Sequence, residues 1–264
     1  MVQEVTTKSW GSRIMSALWG ILIGLFLIGA SFFVIFWNEG HGLRTAQSLE
    51  QAQKVLISVP NSPVDPKNDN KVVYFTGLAT TNDILTDPLF GISEKAIKLE
   101  RKVEMYQWEE NSDTQTETQM GGSEKEITNY TYAQTWSDKL INSSGFKDQT
   151  GHQNPAAMPI QSKHNHAPNV TIGDFHLPAG LVTQISGETA VDLSKIDTAA
   201  LQNKVNKPVK HVGEGLYVGA DPQAPQIGDL RINLFVVFPQ NVSVIGQQIN
   251  NTCLLYTSPS PRDS

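Results

Sequence analysis

The sequence is almost free of cysteine, since Cys253 is the single one among 264 residues. One thiol excludes a disulfide framework within the chain and every zinc site that needs several cysteines. A cysteine nucleophile is disfavoured too, because Cys253 lies in an atypical C-terminal tail. The folded part must therefore be held by a hydrophobic core.

An excess of basic residues is also lacking. Twenty Lys and Arg stand against 26 Asp and Glu, and the formal net charge is −6. An acidic chain without a basic stripe repels phosphate backbones, so we expect no nucleic-acid partner. Phosphate-binding loops, dinucleotide fingerprints and paired metal-ligand motifs are absent from the sequence, and we predict no catalytic, cofactor-binding or metal-binding residues.

Charge is missing altogether from one long segment, Ile14 to Trp37, a run of 24 residues. As a helix it would be about 36 Å long, against about 30 Å for a bilayer core. The run is too long for a signal peptide and lacks a small-residue cleavage site. The sequence thus predicts a transmembrane helix over residues 14–37. Lys8 and Arg13 before it favour a cytoplasmic N-terminus over residues 1–13.

One face of this predicted helix carries small residues at intervals of four, Ser16, Gly20 and Gly24. Such a face lets two helices approach closely, and it predicts a helix–helix contact and self-association. The alternative is that glycine is simply common in membrane helices.

Residues 38–251 are predicted to form an extracytoplasmic or lumenal domain with long antiparallel hairpins, which makes the fold class α+β. The clearest pair of strands is 97–109 and 126–136, in which the odd positions Ile97, Leu99, Val103 and Met105 form one face. Aromatic residues occupy the even face, namely Tyr106, Trp108, Tyr130, Tyr132 and Trp136. A turn near residue 119 would place Tyr106 opposite Tyr132. This aromatic face is either ordinary core or an interaction surface. A second hairpin is predicted from 231–238 and 242–249.

Two histidine segments deserve a chemical interpretation. His164 and His166 could bind a metal, but no acidic cluster lies nearby in sequence, and we interpret them as a polar loop. His152 could serve a hydrolase, but the context of a nucleophile elbow is missing. Asn129, Asn142, Asn169, Asn241 and Asn250 begin Asn-x-Ser/Thr motifs, which matter only in a eukaryotic secretory compartment.

Residues 252–264 break the preceding pattern and resemble the translation of a sequencing adapter, so we expect the natural protein to continue beyond residue 251 with a different sequence. The chain before this tail resembles the transmembrane protein 43 family, also called LUMA. The residues that carry the resemblance are Asn38-Glu39-Gly40, Thr45-Ala46, Asp87-Pro88 with Gly91, Val103–Trp108, Ile141-Asn142-Ser143 with Phe146, Gly151-His152, Asn154-Pro155, Ala157-Met158 and Gly228–Arg231.

The resemblance implies one N-terminal span, a large lumenal or extracytoplasmic domain, further spans near the C-terminus and no established catalytic residue. It implies the endoplasmic reticulum and inner nuclear membrane in a eukaryote, and the cell membrane in a prokaryote. We therefore expect a membrane-anchored, non-enzymatic scaffold that organises membranes and can oligomerise, with the lipid bilayer, other membrane proteins and itself as partners. An extracytoplasmic sensor or ligand-binding domain and a cryptic hydrolase are the alternatives.

Overall fold

The computed structural model describes residues 2–8, 11, 14–15, 17–31, 56–120 and 123–255. Strands dominate this part of the chain. They are β1 (Val2–Lys8), β2 (Ile57–Ser58), β3 (Val72–Thr81), β4 (Ile84–Asp87), β5 (Ile92–Lys95), β6 (Lys98–Thr118), β7 (Glu124–Ser137), β8 (Lys163–His166), β9 (Val170–Ile172), β10 (Phe175–Leu177), β11 (Thr189–Ala190), β12 (Val209–Val212), β13 (Gly215–Val218), β14 (Leu230–Val237), β15 (Gln240–Ile249) and β16 (Thr252–Leu255).

Helices are short within the described residues. They are α1 (residues 17–31), α2 (Ala179–Val182) and α3 (Ala199–Val205), besides single 3-10 turns at Pro66–Asn68 and Ser143–Gly145. The predicted α+β class is wrong for this reason, since the described chain is mostly β.

The predicted transmembrane helix over residues 14–37 is also wrong. Among the described residues, no helix has both the length and the apolar character needed to cross a membrane. Residues 32–37 lie outside the described part.

The chain divides into two compact units. The first unit comprises residues 1–47, 107–135 and 141–156, and the second comprises residues 48–106, 136–140 and 157–264. In the first unit β1 pairs antiparallel with β7, from Val2 opposite Tyr130 to Lys8 opposite Glu124. The predicted cytoplasmic residues 1–13 thus contain a strand of the same unit as part of the predicted extracytoplasmic domain.

The second unit contains two sheets and the hydrophobic core. One sheet runs from the beginning of β6 through β14 and β13 to β12, and the other runs in the order β15-β16-β10-β9-β3-β2. Both sheets contribute buried side chains to one cluster, in which Phe75 of β3 stacks on Phe175 of β10 at 4.2 Å between ring centroids. Leu99, Val103 and Met105, on the odd face of β6, are buried there.

The predicted second hairpin is wrong in its pairing. β14 pairs with β6, β11 and β13, while β15 belongs to the other sheet and pairs with β3 and β16. Burial alternates along β14, as the alternation of its side chains predicts, but alternation fixes a strand's face and not its neighbours.

The predicted adapter tail contributes to the second sheet. β16 pairs with β15, and the Cys253 side chain is completely buried, which raises the pKa of its thiol to about 11. Residues 256–264 lie outside the described part.

Candidate interaction site

The aromatic residues predicted to share one face do not form a single ladder. In the first unit, Trp108 and Tyr132 both contact His152. The His152 ring stacks on Tyr132 with 3.9 Å between centroids and meets Trp108 edge-on at 4.7 Å. Phe146 lies 5.8 Å from Tyr132. These four rings are half-buried and constitute the histidine-centred cluster.

A strap, residues 141–156, brings His152 and Phe146 to this cluster. Asn154 ties the strap to β6, because its Oδ1 accepts from the Trp108 N–H at 2.7 Å and its Nδ2 donates to the Trp108 carbonyl at 2.8 Å. The amide side chain thus satisfies both backbone groups of Trp108, as a neighbouring strand would. The completely buried Gln107 accepts the Ile141 N–H at 2.8 Å and holds the strap's other end.

Glu110 is the polar centre of the strap contact. Its Oε2 accepts from the Tyr132 hydroxyl at 2.7 Å and from the Lys147 N–H at 2.6 Å. The Tyr132 oxygen in turn accepts the Asp148 N–H at 2.8 Å. Burial, followed by the hydrogen bond to Glu110, raises the pKa of Tyr132. The phenol therefore stays a donor at neutral pH.

Tyr130, the fifth predicted aromatic residue, has different neighbours. Its hydroxyl donates to Glu4 of β1 at 3.1 Å, and the Lys147 ammonium lies 5.6 Å from its ring centroid. The hydrogen bond from Lys147, at 2.8 Å, is the main cause that lowers the pKa of Glu4. Both charges are largely exposed, so we expect a small contribution to stability from this pair.

The second unit holds the other predicted aromatic residues, Tyr106 and Trp136, 5.0 Å apart between centroids. The Arg231 guanidinium lies 4.0 Å above the Trp136 ring, and Tyr217 approaches its edge at 6.2 Å. Arg231 also faces Glu104 at 3.8 Å and remains 45% exposed. A guanidinium stacked on tryptophan contributes about 0.5 to 2 kcal/mol. These residues form the arginine–tryptophan surface.

Under this surface lies a buried carboxylate, Asp229. One of its oxygens accepts from Lys207 Nζ at 2.9 Å, and the other accepts from the Tyr217 hydroxyl at 2.7 Å and the Gln226 N–H at 2.9 Å. Burial raises the pKa of Asp229, but the hydrogen bonds from Gln226, Tyr217 and Lys207 together outweigh it and lower the pKa. Gly219 allows this approach, since a Cβ there would lie 2.5 Å from the Asp229 carboxyl carbon.

The predicted pairing between the two long strands is shifted by four residues. Tyr132 bonds to Glu110 rather than facing Tyr106, Thr114 bonds to Thr128 at 3.0 Å, and the Gln119 N–H donates to Ser123 O at 2.8 Å. A shift by an even number keeps every aromatic residue on its predicted face. The even face of β6 is half-buried, while its odd face enters the core.

The predicted helix–helix contact residues are only partly described. Ser16 lies outside the described residues. Gly20 and Gly24 belong to α1, where a Cβ placed on either glycine would meet no atom within 4 Å. Nothing within the described chain covers this face, and self-association through it stays a prediction.

The structure shows the neighbours of His152, His164 and His166. Nδ1 of His152 lies 3.1 Å from the Asp148 carbonyl oxygen, and within the described residues no serine hydroxyl is hydrogen-bonded to its ring. His164 and His166 lie on β8 beside an open groove whose other wall is β4. His164 faces Glu100 at 3.5 Å, but the described residues contain no group of three His, Cys, Asp or Glu placed to hold a metal ion.

Sequence reasoning missed the contribution of Arg231, Glu110 and Asn154 to these surfaces. Asn154 and Arg231 stand within the segments that carry the family resemblance, which was the available signal. No signal in the sequence pointed to Glu110, because its role depends on Lys147 of the strap, which lies 37 residues further along the chain.

Comparison with known proteins agrees with the resemblance. The family model described as Transmembrane protein 43 matches residues 105–263. Human Transmembrane protein 43 is 35% identical over 223 residues, covering 84% of this chain and 54% of the human protein. The orangutan protein is 36% identical over 232 residues, with 87% and 54% covered. The Drosophila melanogaster homolog is 29% identical over 227 residues, with 84% and 58% covered.

No solved structure matches the chain. The chain spans about half the length of the curated relatives it matches. Identity at this level over most of the chain, together with the family-model match, is sufficient to conclude that the chain belongs to the transmembrane protein 43 family.

Proposed function

We propose that this chain is a non-enzymatic, membrane-associated scaffold that self-associates and presents its β-rich units to other membrane proteins on the lumenal or extracytoplasmic side. In a eukaryotic cell the membrane would be the endoplasmic reticulum or inner nuclear membrane, and in a prokaryote the cell membrane. The name of the relatives, Transmembrane protein 43, supports a membrane location.

The observation that carries the proposal is the surface of α1. Its large apolar side chains are all exposed, among them Leu22 at 58%, Leu25 at 62% and Phe26 at 74%. Residues 17–31 contain no charged side chain. An apolar surface of this extent marks a membrane or protein interaction site, and the absence of a polar face on α1 favours lipid.

The scaffold part of the proposal draws on the arginine–tryptophan surface. Tyr, Trp and Arg are the residues that most often dominate binding energy at protein interfaces. Tyr106, Trp136 and Arg231 stand together on a half-exposed sheet face. The non-enzymatic part is supported by His152, whose ring is occupied by aromatic neighbours and whose Nδ1 faces a carbonyl.

Membrane flotation of the full chain tests the proposal. Wild-type protein should float with lipid vesicles through a density gradient and resist a high-salt wash. Burying one leucine side chain is worth about 1.5 to 3 kcal/mol, so Leu22→Glu/Leu25→Glu should reduce the floated fraction by at least about tenfold.

The matched control is Ile84→Glu, because Ile84 is equally exposed, at 65%, but belongs to β4. This control should float like the wild type. Wild-type protein that stays at the bottom of the gradient, or a double variant that floats unchanged, would refute the proposal.

A further inference from the structure

The five Asn-x-Ser/Thr motifs differ in what their asparagine side chains do in the fold. Asn129 accepts from Gln3 at 3.2 Å, and Asn142 caps a turn by accepting the Ser144 N–H at 3.0 Å. Asn169 donates from Nδ2 to Asp83 at 3.2 Å. A substituent on Nδ2 of Asn169 would disrupt its bond to Asp83, and Asn129 and Asn142 each use their side-chain oxygen in a bond that orients the amide within the fold.

Asn250 is exposed and occupies the turn between β15 and β16 with a φ of 53°. Its backbone N–H donates to the Asp69 carboxylate at 2.7 Å. Asn250 is therefore held in a tight left-handed turn.

Asn241 is the remaining acceptor, and its surroundings are open. It is exposed near the beginning of β15, and its side chain makes no hydrogen bond within the described residues. Ser243, two positions further on the same face of the strand, is exposed as well. Leu78 stands directly opposite Asn241 on β3 and is 52% exposed. A large polar group on Asn241 would cover this apolar side chain.

We propose that Asn241 carries an N-linked glycan, and this inference rests on the proposed lumenal side of the β-rich units. The donor is an oligosaccharide joined to a lipid pyrophosphate. Nδ2 of Asn241 forms a bond to the anomeric carbon of the first sugar, the bond from that carbon to the pyrophosphate oxygen breaks, the lipid pyrophosphate leaves, and Nδ2 loses one proton. The Ser243 hydroxyl completes the recognition motif.

The test is expression of the full chain in cultured animal cells, followed by endoglycosidase treatment and gel electrophoresis. Wild-type protein should lose one mobility step on treatment. Asn241→Gln and Ser243→Ala should migrate at the treated position before treatment, and the conservative Ser243→Thr should restore the glycan. Asn169→Gln is the matched control and should leave the mobility step intact.

A reporter separates this inference from the lumenal orientation. Asp113→Thr creates an acceptor motif at Asn111, on the exposed distal part of β6. If the reporter is glycosylated while Asn241→Gln does not change the wild-type mobility, the glycan assignment is overturned and the lumenal side stands. If neither the reporter nor the wild type is glycosylated, both are overturned.

Discussion

Substitution of Asp229 by asparagine should destabilise the second unit through its ion pair with Lys207. The Asp229 side chain is 3% exposed, and the Lys207 side chain is 37% exposed. An asparagine oxygen can still accept from Tyr217 and Gln226 at the position of the second carboxylate oxygen. The other position then becomes an NH₂ group that faces the ammonium, and two donors cannot bond to each other.

The loss in the free energy of unfolding depends on which hydrogen bonds Lys207 keeps in the variant. A hydrogen bond to a charged group contributes about 1.5 to 3 kcal/mol. Lys207 also donates to the Gly228 carbonyl at 2.9 Å and can turn toward water, which places Asp229→Asn near the lower half of that range. We expect a loss of about 2 kcal/mol in the free energy of unfolding.

A double-mutant cycle with Lys207→Met measures the pair itself. Urea unfolding of the purified full chain in mild detergent, followed by tryptophan fluorescence, gives the four free energies. Trp136 reports on the site because it lies 6.2 Å from Tyr217. We expect a coupling of about 1 to 2 kcal/mol; effects that add within about 0.5 kcal/mol would refute the reasoning.

The same pair predicts a dependence on pH. The pKa of Asp229 is lowered in the folded chain, so its stabilising contribution is fully present above its unfolded pKa of about 3.9. The contribution is lost as the pH falls through the lower folded value. The difference in stability between wild type and Asp229→Asn should therefore be constant near neutral pH and shrink below about pH 4. A difference that grows on acidification would contradict the sign of the shift.

Two further predictions concern the first unit and α1. Asn154→Ala should free the strap, since it removes both hydrogen bonds to Trp108. Hydrogen exchange of residues 141–156 should accelerate by about tenfold, given about 1.4 kcal/mol of lost protection. The exposed Gln153→Ala is the control, and unchanged exchange in Asn154→Ala would refute the role of Asn154 in holding the strap. Gly20→Leu/Gly24→Leu should abolish crosslinked dimers in membranes, whereas Gly11→Ala should not; monomers alone in the wild type would remove self-association.

Sequence patterns predicted the parts of the fold that depend on local alternation. The odd residues of β6 and its even aromatic residues lie on opposite faces, as a period of two requires. Which of the two faces enters the core depends on the rest of the sheet. The apolar runs Val72–Phe75 and Leu216–Val218, rich in β-branched and aromatic residues, predict strands, and both lie in strands, β3 and β13. These elements have β-branched or aromatic side chains and bury one or both faces.

Local patterns failed where the outcome depends on a distant partner. Pro88 and Gly91 predict an irregular segment over residues 83–91, yet Ile84–Asp87 pairs with Ile92–Lys95 on either side of them. Apolar residues at helical spacing predict a helix over residues 193–205 with Asp192 as its cap. The helix α3 begins only at Ala199, because Asp192 accepts the Ser194 N–H in a separate turn. Both carboxylate oxygens of the buried Asp87 accept from Arg101 Nη1 at 3.0 Å. The spacing of these two residues in the sequence does not predict this contact.

The pairing of β1 with β7 limits the topologies open to the chain. Lys8 bonds to Glu126, and Glu4 bonds to both Tyr130 and Lys147. Two paired strands that lie outside the bilayer must lie on the same side of it, because their backbone groups bond directly to each other. A cytoplasmic N-terminus and a lumenal β7 are therefore incompatible with this pairing. The cytoplasmic bias of Lys8 and Arg13 and the proposed lumenal side of the units therefore conflict. Glycosylation at Asn241, and at Asn111 in the Asp113→Thr reporter, decides between them.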